Sequence, residues 1–262
     1  MNEQSSELSV LITSLPFAAE ISLAELARQG FRHVDLVGKV ERPEAEREAL
    51  ADSGLIVDCV ALGRELPDGC TLDASDVAKR RQAVEVVQRQ IVEAAQLGAR
   101  VAYVVPCKDA AGLPAFADSC QALTAFARSR MMTMCVEHFP GSALPTARET
   151  LNWLETSGLE NMKLVLDLGH CLISHEGPAE IATKAGARLG YVQLDDNDGV
   201  NDVHWPLLRG TLNEAVLRDL LHRLRALNYR GGVALELNGA LEEPLRNVVN
   251  GKRIVEEIWS RA

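Results

Sequence analysis

Aromatic residues are scarce, 4 % of 262 positions against 47 % for all hydrophobic types. The core must therefore be filled by Leu, Val, Ile and Ala. Basic residues are not in excess: 27 Lys and Arg stand against 37 Asp and Glu, a formal charge of −10. Such a surface repels a phosphate backbone, so no nucleic-acid partner is expected, whereas small sugars remain open. The six cysteines (Cys59, Cys70, Cys107, Cys120, Cys135, Cys171) include no C-x-x-C pair. That favours reduced, mostly buried thiols in a cytoplasmic protein. Cys107 and Cys171 fall just past expected strand ends, where they could line a pocket, but neither has an obvious basic partner to activate it. No apolar run reaches the roughly 18 residues of a membrane helix. The N-terminal MNEQSSELSV lacks the basic region and apolar stretch of a secretory signal. Linkers and low-complexity segments are missing. So is a Gly-rich phosphate loop, for which Leu208-Arg209-Gly210 is only a faint substitute.

What is present is a recurring unit: an amphipathic helix, a glycine near its end, then an apolar strand. The glycines are Gly30, Gly54, Gly98, Gly158 and Gly190, each a candidate for the left-handed turn that ends a helix. Strands are expected at 8–12, 33–37, 56–62 and 100–105, followed by four more in the last half. Ser22-x-x-Glu25, Thr146-x-x-Glu149 and Thr211-x-x-Glu214 have the form of capping boxes that open helices. Further helices are expected from near Pro43 and over 76–97, 114–129, 178–186 and 241–259. Eight strand–helix pairs in strict alternation predict an α/β fold, a single-domain (β/α)8 TIM barrel spanning 1–262.

The last four strands carry the chemistry. They read MMTMCV-Glu137, KLVL-Asp167, LGYV-Gln193 and GGVAL-Glu236, each an apolar run ending in an oxygen donor. Right-handed crossovers bring all strand C-termini to one face, where barrels of this kind place their function. Taken singly, each carboxylate is a candidate helix N-cap or strand-end salt bridge. Taken together, three like charges in one low-dielectric pocket could not all stay ionised unless a cation stood among them. An all-oxygen set suits Mn²⁺ or Mg²⁺, with Zn²⁺ or Co²⁺ less favoured. Side-chain alternation turns His138 away from a pocket that Glu137 faces, and gives Asp195, but not Asp196, the parity of Gln193. Asp196 and Asp198 read as a polar loop. His170 is open to three roles: ligand, substrate contact or helix cap, with substrate contact preferred.

The order Glu137, then Asp167-Leu-Gly-His170, Tyr-Val-Gln193-Leu-Asp-Asp, Asp202-Val-His204-Trp-Pro, Tyr229-Arg-Gly-Gly and Leu-Glu236-Leu resembles the sugar isomerase/epimerase superfamily with a xylose-isomerase-like barrel. The first half agrees in its alternating pattern and in the helix ending Ala-Gln-Leu-Gly. Ketose 3-epimerases of that superfamily hold one metal with Glu, Asp, His and Glu at the four strand ends, and hydroxypyruvate isomerases have Gln at the third, as at Gln193. The Arg-x-Glu-Pro expected of the latter is replaced by Val203-His204-Trp205-Pro206. The resemblance implies a metal-dependent isomerase or epimerase of a small carbohydrate or hydroxy-oxo acid, acting through a metal-stabilised enediolate. Glu137 and Glu236 would be ligands and the acid/base pair, and Asp167 and Gln193 ligands only. His170, His204 and Arg209 would orient substrate oxygens, with Trp205 as an apolar wall or a loop anchor. A dehydratase with His170, His204 or Lys108 as a second acid, or a non-catalytic ligand-binding barrel, stands beside this reading; a three-zinc DNA-repair endonuclease is disfavoured by the few histidines and the negative charge. Relatives often pair, so a homodimer is open.

Overall fold

The computed structural model describes residues 8–261. Residues 1–7, which hold most of the stretch without a secretory signal, and residue 262 lie outside the described residues. Eight parallel strands are β1 (Leu8–Val10), β2 (His33–Val37), β3 (Ile56–Ala61), β4 (Val101–Val104), β5 (Thr133–Glu137), β6 (Lys163–Asp167), β7 (Leu189–Leu194) and β8 (Val233–Leu235). They pair in the order β1-β8-β7-β6-β5-β4-β3-β2. A single parallel bridge, Leu11 to Asp35, joins the two ends. A buried side-chain bond reinforces that seam, with Ser9 Oγ donating to Asp35 Oδ1 at 2.6 Å. This is the expected TIM barrel.

Helices α1 (Ala19–Arg28), α2 (Glu44–Ser53), α3 (Val77–Gln96), α4 (Leu113–Arg128), α5 (Ala147–Thr156), α6 (Leu168–Ile173), α7 (Pro178–Ala185), α8 (Glu214–Ala226) and α9 (Pro244–Ser260) follow the strands. None is long and apolar enough to cross a membrane. Their apolar faces and the outward faces of the strands form the main core, filled by Leu, Val, Ile and Ala as the composition required. A separate cluster, with Cys59, Ala61, Tyr103, Cys135, Val165, Tyr191 and Ala234, plugs the barrel interior. All six cysteines are unpaired and buried. Cys171 faces His138 in the outer layer rather than the pocket. Burial raises the Cys107 thiol to about 11, the opposite of activation.

Three local expectations are corrected. Ser22 does not cap α1, which starts at Ala19; its hydroxyl reaches back to the Phe17 carbonyl from inside the helix. Thr211 does not cap α8. Asn213 does so, accepting from Val216 N at 3.0 Å, and Thr211 ties the preceding loop to the Asn197 carbonyl. Gly190 ends no helix, a task taken by Gly186. It lies within β7 where a Cβ would overlap Cys135 Sγ and stand 2.8 Å from Lys163 Cβ, so it is there for strand-to-strand clearance. The Thr146 box does form, with Thr146 Oγ1 accepting from Glu149 N.

Candidate metal centre at the barrel mouth

Register sets the pocket. Asp167 pairs with Gln193 across β6 and β7, and Gln193 with Ala234 of β8. Residues two positions earlier on three of these strands, Cys135, Val165 and Tyr191, belong to the interior plug. By alternation, Glu137, Asp167 and Gln193 therefore point into the mouth, and Glu236 follows Ala234 with the same parity. Glu137, Asp167 and Gln193 are buried, and Glu236 is half-buried at the opening.

Unpaired oxygens mark the centre. Glu137 Oε2, Asp167 Oδ2 and Gln193 Oε1 are each buried without a hydrogen-bond partner. The Gln193 amide nitrogen donates to Glu236 Oε2 and, at 3.2 Å, to the Tyr103 hydroxyl, so its carbonyl is left facing the acids. Buried oxygens without donors are costly unless a cation stands among them. The set is all oxygen, suited to a hard divalent ion. On these observations Glu137, Asp167 and Gln193 fit a divalent cation, with Glu236 beside them at the opening and already accepting from the Gln193 amide. Without one, burial pushes the Glu137 carboxyl up to about 8, opposed by His170 and reinforced by Glu236 and Asp167. Burial also raises Glu236, against the pull of His204.

Around this set lies a histidine–carboxylate layer. Asp167 is an N-cap too: its Oδ1 accepts from His170 N at 2.7 Å, opening the short helix α6 where a loop is expected from the sequence. His170 is fully buried. Its Nδ1 meets the His138 carbonyl at 2.8 Å, and because a carbonyl only accepts, Nδ1 carries the hydrogen and is not a ligand atom. Its Nε2 lies 3.3 Å from Asp202 Oδ1. Burial disfavours an imidazolium here, but Asp167, Asp202 and Glu137 outweigh it and raise His170 well above the ordinary range. His138 turns away from the pocket, as its parity requires, and its Nε2 accepts from Asp167 N at 3.2 Å. It thus positions both Asp167 and His170.

The loop after β7 supplies the rest. Asp195, fully buried, accepts from Gly169 N at 2.9 Å and pairs with His204 Nδ1 at 2.8 Å. A Cβ at Gly169 would overlap the Asp195 carboxylate, which explains the glycine between Asp167 and His170. Burial raises Asp195 to about 8, with Asp167 adding to the effect and His204 opposing it. His204 has a left-handed backbone (φ 47°) and faces Asp202 through Nε2 at 3.3 Å. Burial works against its charge, but Asp195 and Asp202 raise it to about 12. Asp202 stays ionised despite partial burial because both imidazoles face it.

Trp205 is half-buried and bridges Asp196 through backbone bonds in both directions, consistent with a loop anchor. Arg209 is exposed; it gives its backbone N–H to Asp196, and its side chain forms no ion pair with a carboxylate among the described residues. Asp196 organises the loop from below, accepting four backbone N–H groups. Sequence reasoning missed Asp202 as the acid shared by two histidines and Tyr103 as the hydroxyl that orients Gln193. The Asp202-x-His204 spacing was a usable signal for the first. Nothing local pointed to Tyr103, which comes from a strand with no acidic tip.

The chain matches the family described as xylose isomerase-like TIM barrel over residues 23–257. It is 34 % identical over 84 residues to a putative hydroxypyruvate isomerase of Streptomyces coelicolor, covering 31 % of this chain and 27 % of that protein. It is 26 % identical over 101 residues to a D-psicose 3-epimerase of Enterocloster bolteae, covering 38 % and 31 %. These matches therefore span less than a third of either relative's length. A crystal structure of D-psicose 3-epimerase in the presence of D-fructose superposes with a TM-score of 0.80 at 17 % identity, covering 97 % of this chain and 99 % of that one. At that identity the likeness concerns the fold.

Proposed function

This chain belongs to the xylose isomerase-like TIM barrel family, and from that premise we propose that it is a divalent-metal-dependent isomerase or epimerase of a small sugar or hydroxy-oxo acid. The observation that carries the reading is the set of three unpaired buried oxygens on Glu137, Asp167 and Gln193, with Glu236 beside them. Those oxygens would hold Mn²⁺ or Mg²⁺. What the cation supplies when bound is stabilisation of the negative charge that develops on the substrate's oxygens as its α-proton leaves.

The chain's own residues supply proton transfer and orientation. One of Glu137 and Glu236 takes the proton from the carbon beside the ketone, and the other returns it. Delivery to the neighbouring carbon gives isomerisation, and delivery to the opposite face of the same carbon gives epimerisation. Glu137 Oε1 lies 3.4 Å from His170 Nδ1, leaving Oε2 for the pocket. The Nε2–H groups of His170 and His204, which face Asp202 at 3.3 Å, would turn from that carboxylate to substrate oxygens. Nδ1 of each stays fixed, by the His138 carbonyl and by Asp195 respectively, and Trp205 closes one side. The relatives' names, a hydroxypyruvate isomerase and a psicose 3-epimerase, agree with this class of reaction. A dehydratase remains the second reading, because the same two imidazoles could protonate a departing β-hydroxyl.

The test is incubation with Mn²⁺ in D₂O against a panel of ketoses and hydroxy-oxo acids, followed by NMR. Deuterium entering the α-position with product interconversion is expected. Glu137→Gln and Glu236→Gln should each slow it roughly 10²- to 10⁴-fold. Loss of water with a new conjugated absorbance would assign the dehydratase. No reaction with any substrate, and wild-type metal content in Glu236→Gln, would indicate a non-catalytic binding barrel.

A further inference from the structure

Resting on that reading, we propose that Glu236 is not a ligand of the cation: Glu137, Asp167 and Gln193 hold it with one oxygen each, and Glu236 stands beside them as a carboxylate tethered by the Gln193 amide. The family resemblance implies four ligands. The division of labour here follows from the glutamine at the third strand tip, because an amide carries an acceptor and a donor on one carbon. The Gln193 carbonyl oxygen is buried without a partner. Its nitrogen donates to Glu236 Oε2 and, at 3.2 Å, to the Tyr103 hydroxyl. Turning the amide over would set its oxygen against the Glu236 carboxylate. These contacts therefore fix which end faces the acids, and they hold Glu236 on the other side of the amide.

Three more observations set Glu236 apart. Glu137 Oε2 and Asp167 Oδ2 are buried orphans, whereas neither oxygen of Glu236 is one among the described residues. Glu137 and Asp167 offer atoms within 4.8 Å of each other and of His170, a group that Glu236 does not join. Glu236 is also half-buried at the opening, where Glu137 and Asp167 are 2 % and 0 % exposed. Each inner carboxylate has one oxygen to give. Asp167 Oδ1 is occupied by His170 N at 2.7 Å, and Glu137 Oε1 lies 3.4 Å from His170 Nδ1. A hard divalent ion takes about six oxygens, so three from the protein leave about three positions for substrate and water. Both oxygens of a hydroxy-ketone fit there with one water to spare. Off the ion, Glu236 keeps its lone pairs for the substrate's proton.

The number of water molecules on bound Mn²⁺ separates a ligand from a neighbour. It is read from water-proton relaxation at saturating Mn²⁺, alongside deuterium exchange on the substrate panel. Glu236→Ala should keep the wild-type hydration of the ion while exchange falls roughly 10²- to 10⁴-fold. Glu236→Asp, which keeps the charge on a shorter arm, should keep that hydration as well. Asp167→Ala should gain about one water, as expected when a true ligand is lost. A comparable gain in Glu236→Ala or Glu236→Asp, or exchange at the wild-type rate in Glu236→Ala, would overturn the proposal and leave the metal-dependent reading standing. Wild type that binds no Mn²⁺ would defeat that reading, and this inference with it.

Discussion

Asp196 gives the sharpest stability prediction, because one carboxylate holds the segment that carries the site's second acid and second histidine. Its Oδ1 accepts from Asn197 N at 2.7 Å and Leu212 N at 2.9 Å. Its Oδ2 accepts from Arg209 N at 2.9 Å and Gly210 N at 2.6 Å. Asp196→Asn keeps one oxygen and turns an NH₂ group toward two of these donors, whichever way the amide lies. Each stranded N–H costs about 1–3 kcal/mol, with the low end applying to the half-buried pair, so the variant should lose roughly 2–4 kcal/mol. Asp196→Ala strands all four and should lose about 4–6 kcal/mol, comparable with the lower range of total domain stability. Urea unfolding followed by far-UV circular dichroism reads the loss as a shift in midpoint at constant slope. An Asp196→Asn protein within about 0.5 kcal/mol of wild type would refute the claim that this carboxylate holds the loop.

Three further outcomes follow from the same contacts. Glu137 and Asp195, each at about 8, and Asp35, raised to about 7 by burial against its bonds to Ser9 and Tyr191, hold protons when folded that they lack when unfolded. Metal-free protein should therefore lose stability as pH rises from about 4, where these groups are protonated in both states, to about 8; urea titrations with chelator that show the opposite slope would contradict this. His138→Phe removes the acceptor for Asp167 N and should weaken Mn²⁺ binding roughly 10-fold or more, measured by calorimetry, with the fold intact by circular dichroism. Gly190→Ala should cost about 1–3 kcal/mol through overlap with Cys135 Sγ, and Cys135→Ala in the same chain should recover part of that cost in a double-mutant cycle.

The barrel was legible because helix and strand periods alternate along the chain, and Gly30, Gly54, Gly98 and Gly158 do have the left-handed backbone expected of helix ends. Gly190 was misread because a glycine after a helical stretch and a glycine needed for clearance within a strand look alike locally. The acidic tips could be found because four successive strands each end in an oxygen donor, and alternation alone then turned His138 out and Asp195 in. What could not be read were partners joined only through the closed barrel. Tyr103 reaches Gln193 across 90 positions of chain. Asp35 meets Tyr191 across 156. The short helix α6 was hidden because its cap, Asp167, had already been given another role.

Titration of the chelator-treated protein with Mn²⁺, by calorimetry and by the electron paramagnetic resonance signal of the free ion, tests the central claim most directly. One saturable site per chain is predicted, weakened at least about 10-fold in Asp167→Ala and in Gln193→Leu, both still folded by circular dichroism. No saturable binding to wild type, or affinity unchanged in both variants, would contradict a cation held by Glu137, Asp167 and Gln193.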